Sequence, residues 1–250
     1  MEIQILEDRI QTSYLGDKNI SSIVKKFIYT NIVRYDEEYE VKRDYIMKYN
    51  KIHGECKSWY DNEQLEEICY YKEGQKEGEC KEWFKNGQMK RKCFYKDGKL
   101  EGQYKCWWHN GNTLAEYTYK DDKKEGECIF WHDNGEIYCE FTYKEGKEEG
   151  KCKCYYESGN IMYECNYKEG KREGEYKAWF DNGKLKGICY YKDGKKEGEC
   201  KLWFNNGQKE IECNYKDGMK HGDAKQWNVE GILIFHSIFE KGVETIIIES

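Results

Sequence analysis

Residues 77–88 read EGECKEWFKNGQ and residues 197–208 read EGECKLWFNNGQ, identical at ten of twelve positions across 120 residues. Self-similarity at a fixed spacing decides architecture before any local reading does. The spacing here is 24. Glycine falls at Gly54, Gly78, Gly102, Gly126, Gly150, Gly174, Gly198 and Gly222, with no insertion between them. Five residues later comes a large ring each time: Trp59, Trp83, Trp107, Trp131, Tyr155, Trp179, Trp203, Trp227. Asn-Gly then follows at 86–87, 110–111, 134–135, 182–183 and 206–207, replaced by Asn62-Glu63, Ser158-Gly159 and Glu230-Gly231 in the other units. A further ring closes each unit, from Tyr71 through Tyr95, Tyr119, Tyr143, Tyr167, Tyr191 and Tyr215 to Phe239. Eight units therefore occupy 53–244. YIMKYNKIHG (45–54) aligns without a gap to CYYKEGQKEG (69–78), so a degenerate unit is read over about 29–52.

Asn-Gly between two alternating runs signals a β-hairpin, because both residues tolerate the positive φ of a type I′ turn. A two-residue turn at Asn86-Gly87 sets the register by counting outward. Cys80 then faces Cys93, Glu82 faces Arg91 and Phe84 faces Met89. On the other face Lys81 meets Lys92 and Trp83 meets Lys90. Links such as KDGKLEG (96–102) return the chain to the next hairpin. The expected fold is all-β: an elongated single-layer antiparallel meander of eight to nine hairpin repeats.

Alternation sorts the two faces. Cys, Phe/Tyr and Leu/Met/Ile slots are assigned to the more buried one. The Trp slot shares the other with Lys and Glu, where Lys105 should face Glu116, Lys153 Glu164 and Lys201 Glu212. Such exposed pairs contribute roughly 0.2–1 kcal/mol each and set register more than stability. With strands about 4.8 Å apart, sixteen of them give a ribbon on the order of 75 Å long. One hairpin alone is marginal, so stability must come from stacking units.

The bulk numbers agree with a folded but polar chain. Charged residues are 36%, mean hydropathy is −1.08, and aromatics reach 16%, which a disordered polar chain would lack. There is no proline. The formal charge of −6 disfavours nucleic acid or an anionic membrane as the main partner. No apolar core stands behind a basic start in the first 30 residues, and no apolar stretch approaches 18 residues. A cytoplasmic protein is expected. The Lys-, Ile-, Asn- and Tyr-rich usage is that of an AT-rich genome.

The pattern Y-K-[DE]-G-x-x-E-G-x-x-x-x-W-[FY]-x-N-G resembles the MORN repeat, in the variant form found in bacterial antitoxin-like proteins and in giant viruses. The resemblance spans the eight units. Its units are about one residue longer than the family's common form and carry unusual cysteines. It implies a non-enzymatic scaffold that binds a protein partner of unknown identity. The alternatives it implies are an antitoxin-like binder that neutralises a toxin, and a lipid-proximal module. A viral source would place the chain in the host cytoplasm or the virion. Enzymes of the family carry a separate catalytic domain, and residues 1–52 are too short for one.

Thirteen cysteines require their own account. No C-x-x-C occurs, and His53, His109, His132, His221 and His236 do not recur in one slot, so no metal site and no cofactor is expected. The hairpin register puts Cys56 opposite Cys69, Cys80 opposite Cys93, Cys152 opposite Cys165 and Cys200 opposite Cys213. Those pairs lie within bridging reach. Yet the third unit has Tyr104 and Tyr117 in the same slots, the fourth Cys128 with Phe141, and the sixth Tyr176 with Cys189. Slots that accept rings want burial. Reduced packing cysteines are the expectation, and cross-strand disulfides the alternative.

The candidate binding feature is a stripe of Trp59, Trp83, Trp107, Trp131, Trp179, Trp203 and Trp227 flanked by Lys57, Lys81, Lys105, Lys177, Lys201 and Lys225. Aromatics among bases can stack on nucleic acid or hold an anionic partner. The competing reading is structural, since rings along a single-layer sheet shield its backbone. No phosphate loop, G-x-S-x-G or H-E-x-x-H occurs, and the repeated Asp-Gly and Glu-Gly are turn chemistry, so no catalytic residue is assigned. Residues 1–28 lack the period and read as a cap, and 245–250 as a capping strand. Glu244–Ser250 is also an open β edge through which two copies could pair.

Overall fold

The structure, a computed structural model, describes residues 29–36 and 41–247. The cap read over 1–28 lies outside the described residues. Within them there is no helix, and every strand pairs antiparallel with its sequence neighbour in one open sheet. The degenerate unit is a hairpin of Tyr29–Asp36 and Val41–Lys48. The second unit uses Gln75–Trp83 and Met89–Lys96, and the last one Met219–Trp227 and Leu233–Glu240. A final strand, Val243–Ile247, adds to Leu233–Glu240. It begins two residues before the capping strand read from sequence, and no described strand pairs with its outer side.

The turn at Asn-Gly is not the type I′ turn expected there. At Asn86-Gly87 only Gly87 has positive φ (83°). Phe84 N–H donates to the Gln88 carbonyl and Gly87 N–H to the Phe84 carbonyl, both at 2.8 Å. This is a three-residue loop, a type I turn closed by a glycine bulge. The two-residue type I′ turn sits in the link instead. Asp97 and Gly98 have φ of 49° and 80°, and Lys96 pairs with Lys99. Asp-Gly satisfies the same steric demand as Asn-Gly, and loop length decides which turn forms.

The longer loop shifts the strand end. Trp83 pairs with Met89, not Lys90, before Glu82 pairs with Arg91 as counted. The same step recurs as Trp59–Leu65, Trp131–Ile137 and Trp179–Leu185. The Leu/Met/Ile slot thus belongs to the Trp face, a correction to the face assignment. The slot after it reaches the Phe84 row: His132 and Tyr138 rings lie 4.9 Å apart, and Lys186 lies over Phe180.

Both long edges are hydrogen-bonded ladders. Asn86 accepts from Gln88 N–H and donates through Nδ2 to the His109 carbonyl of the next unit (3.0 Å). Asn62, Asn110, Asn134 and Asn206 repeat the donation. On the opposite edge Glu77 accepts from the Asp97 N–H (2.8 Å), and Glu101, Glu125, Glu149, Glu173 and Glu197 do likewise for the following turns. The repeated acids are therefore spent on tying each strand start to the next turn along that edge.

The fully buried hydrophobic residues are all cysteines, apart from Ala115 and Ala224. Apart from Ala115, Cys139 and Cys154, which stand in the rows beside it, they form the central row of one face, with Tyr71, Tyr95, Tyr104, Tyr167, Tyr191 and Tyr215 packed against them. Beside that row bulk is matched across units. Ala115 faces Phe130, Ala178 faces Tyr163, and Gly187 faces Leu202, whose Cδ2 lies 2.7 Å from where a Gly187 Cβ would sit. A single-layer sheet reaches close packing this way without a second layer.

Candidate functional site

The tryptophan stripe occupies one register position throughout, and Trp59, Trp83, Trp107, Trp131, Trp179, Trp203 and Trp227 are all half-buried. The flanking lysines are not free to meet an anion. Lys57 is paired with Glu55, Lys81 with Glu79, Lys105 with Glu116, Lys177 with Glu175 (2.5 Å), and Lys201 with Glu199 (2.6 Å). Lys225 stands in register between Glu212 and His236. Two bases also lie over rings, Lys105 on Trp107 at 5.5 Å and Lys209 on Trp227 at 5.1 Å. This face is a lattice of self-neutralised charge, the geometry of the structural reading.

The cysteine face carries a row of cations that composition does not reveal. Lys76 lies 5.3 Å over Tyr95, Lys124 4.4 Å over Tyr117 and 5.1 Å over Tyr143, Arg172 5.1 Å over Tyr176, and Lys196 4.8 Å over Tyr215. The signal was available: each cation stands two residues before the period-marking glycine, at Gly78, Gly126, Gly174 and Gly198. Contacts of this kind are worth about 0.5–1 kcal/mol when exposed and about 2 kcal/mol or more when desolvated.

Burial foremost, with neighbouring carboxylates or thiols, pushes Tyr71, Tyr95 and Tyr215 up to about 12. Burial raises Tyr117, Tyr143 and Tyr163 as well. An unfolded tyrosine ionises near pH 10. A raised folded value means this stabilisation is complete below pH 10 and is lost as pH climbs through about 12. Tyrosinate absorbance is expected to rise together with loss of the β-sheet circular dichroism across that window. Full ionisation at pH 10 with an unchanged β spectrum contradicts it.

One place breaks the uniformity. Arg91 and Glu82 form an ion pair in slots that hold small or apolar residues from the third unit to the seventh, and Lys90 adds a second contact to Glu82 at 3.5 Å. Burial opposes the Arg91 charge, but Glu82, Tyr104 and Cys93 together outweigh it and hold the guanidinium above its ordinary value. Arg91 Nε is buried without a hydrogen-bond partner. Above the pair a shallow cavity of about 630 Å³ opens between Phe84, Trp108 and Tyr104.

The predicted cysteine pairs do face one another: Cys56–Cys69, Cys80–Cys93, Cys152–Cys165 and Cys200–Cys213 are in register. The disulfides fall elsewhere, between successive units, as Cys69–Cys80, Cys139–Cys154 and Cys189–Cys200. An antiparallel residue turns its N–H and C=O toward one neighbour and its bare side toward the other. Phe84 bonds across its own hairpin, so Cys80, in phase with it, does the same. Its bare side faces Cys69. There the chains approach closest, with Cα–Cα distances of 4.3, 4.1 and 4.2 Å at the three bridges. The remaining seven cysteines, including Cys152 and Cys165, are thiols. Glu67, Cys69 and Cys80 gather donor atoms within 4.8 Å of one another. Lys76 Nζ already occupies that position, 2.7 Å from Glu67 Oε1 and 3.9 Å from Cys80 Sγ.

A sheet built by one 24-residue hairpin unit, coupled edge to edge and with no second layer among the described residues, defines a linear β-repeat protein. The model of the MORN repeat variant matches residues 52–73, 76–97, 100–121, 124–145, 148–169, 172–193 and 196–217, and the chain belongs to that family. MORN repeats are generally modules of protein or membrane interaction. A search of curated proteins gave no match. Among solved structures, the crystal structure of TarM aligns with 77% of this chain and 26% of its own, at 11% identity and a TM-score of 0.16. A mutant of S. aureus TarM in complex with Fondaparinux, alpha-GlcNAc-glycerol and UDP aligns with 74% and 26%, at 11% identity and 0.15. This chain spans about a quarter of those chains, and likeness at that level carries no argument.

Proposed function

We propose that the chain is a non-enzymatic scaffold that presents its repeated surface to a protein partner. The observation that carries this reading is the unbroken register. The same positive-φ glycine and turn recur from Gly54 to Gly242, and the recurrent acids and asparagines are committed to tying one turn to the next. The cavity over Glu82 and Arg91 offers the strongest anchor on that surface. Aromatic walls around a guanidinium are the composition that dominates binding energy at protein interfaces. The paired lysines of the Trp face support a protein partner over an anionic lipid, because they leave no basic stripe.

The test uses the tagged full chain in its native cell extract. It is expected to elute in size-exclusion chromatography well above its own 30.1 kDa. Trp108→Ala is expected to release it to the free position, whereas Phe180→Ala, the same slot three units on, leaves the assembly intact. Elution of the unaltered chain at its own mass overturns the scaffold reading. Flotation with anionic vesicles in place of a protein assembly shifts the reading to the lipid-proximal alternative.

A further inference from the structure

Four cysteines stand in one row on four successive strands. Cys56 faces Cys69, Cys69 faces Cys80, and Cys80 faces Cys93. The central two are bonded, which leaves a thiol opposite each bonded sulfur. The register places Cys56, Cys69 and Cys80 in that order on neighbouring strands. That is the order thiol–disulfide exchange requires of nucleophile, attacked sulfur and leaving sulfur. Lys76 Nζ lies 3.9 Å from the Cys80 sulfur.

We propose that this row is a thiol–disulfide relay, in which Cys56 takes over the bond to Cys69 and Cys80 leaves as a thiolate beside Lys76. The Cys56 thiol first gives its proton to solvent. Its sulfur attacks Cys69 Sγ; the Cys56–Cys69 bond forms as the Cys69–Cys80 bond breaks, and Cys80 keeps the electron pair. The ammonium of Lys76 stabilises that charge until Cys80 takes a proton. The step is redox-neutral and needs no external reagent. A later two-electron oxidation by a low-molecular-weight disulfide closes Cys80–Cys93. Cys80 attacks the reagent and releases one small thiol, then Cys93 attacks the mixed disulfide and releases the second. The row therefore holds one bridge between units or two bridges within them.

Direction follows from access and charge. Cys56 is half-buried, whereas Cys93 is 0% exposed. Burial raises both thiols, Glu67 adding to it at Cys56. The groups around Cys56 are Tyr45, Arg43 and Asp44 from Val41–Lys48, Glu67 and Tyr71 from Leu65–Lys72, and Lys76 from Gln75–Trp83. Exchange moves the staple from between the first two units to inside the first, and leaves them joined by hydrogen bonds.

The experiment incubates unreduced full-length protein at pH 7, 8 and 9, quenches it with a thiol-alkylating reagent, and maps tryptic peptides without reduction. The starting link joins 58–72 to 77–81, and the relayed link joins 52–57 to 58–72. The relayed link is expected to form about tenfold faster per pH unit below the Cys56 pKa, following the thiolate fraction. Cys56→Ser is expected to abolish it and Cys93→Ser to preserve it. Lys76→Met is expected to slow it by about tenfold, with Lys76→Arg restoring the rate. Circular dichroism of each variant checks the sheet. Persistence of the 58–72/77–81 link alone at pH 9 overturns the relay. So does an unchanged rate in well-folded Lys76→Met, or a count of thirteen free thiols instead of seven in the denatured, unreduced chain.

Discussion

Excising residues 105–128, one whole period, is expected to leave a folded array one unit shorter, whereas excising 105–127 is expected to destroy the cooperative transition. Both cuts begin after Tyr104 and fall inside a strand. The 24-residue cut joins Tyr104 to Ile129, so Phe130 keeps its place on the cysteine face and Trp131 stays opposite Ile137. The 23-residue cut joins Tyr104 to Cys128. A one-residue slip sends every later side chain of the strand to the other face. Phe130 then points away from Cys139 and Phe141, and Trp131 turns onto the cysteine row. Each large side chain taken out of its buried position costs about 1.5–3 kcal/mol, so a few of them exhaust the roughly 5–15 kcal/mol available to a domain. Repeat arrays lose stability unit by unit, and the in-phase deletion should lower the melting midpoint only modestly. Far-UV circular dichroism melts of both deletions decide the matter. Equal melting of the two contradicts phase control.

The second large effect belongs to the Glu82–Arg91 pair. Arg91→Met removes the guanidinium and leaves a carboxylate that is only 14% exposed, with Lys90 at 3.5 Å as its remaining cation. Breaking a fully buried pair costs about 3–5 kcal/mol. Arg91 retains 30% exposure and Lys90 partly substitutes, so a loss of about 2–3 kcal/mol is expected. The double change Glu82→Leu with Arg91→Met should recover most of it, because the same slots hold Leu202 and Ile211 in the seventh unit. Urea unfolding of the two singles and the double completes the cycle. A single that unfolds like the parent shows the pair to be solvated, and a double as poor as the single shows the loss to be one of shape.

The 24-residue period, the hairpins and the facing of Cys80 with Cys93 were all legible in the residues, because spacing alone carries them. Tyr104 opposite Tyr117 was legible for the same reason, and their rings stack at 4.7 Å. The turn types were not. Asn-Gly and Asp-Gly meet the same φ demand, and only one bulged residue separates a three-residue loop from a two-residue one. That residue moved Met89 to the Trp face and Lys90 off it. The disulfide partners were hidden one level deeper. Choosing Cys69 over Cys93 for Cys80 depends on which side its N–H points, a phase that starts at the Phe84 turn. The cations over the tyrosines were missed because lysine reads as solvated by default, and Lys124 is placed by a contact across three strands.

The asparagine ladder has a consequence for how such a gene changes length. Asn86 donates to a main-chain carbonyl of the following unit, as Asn62, Asn110 and Asn206 do. The accepting residues are as different as Lys85, His109, Asp133 and Val229, because every residue supplies a carbonyl. A junction of this kind does not inspect its neighbour's side chains. Unequal recombination between near-identical segments such as 77–88 and 197–208 can therefore copy or drop whole units while every seam still closes. The length of the array is then an inherited variable, set in whole units, that selection can adjust like the gauge of a ruler.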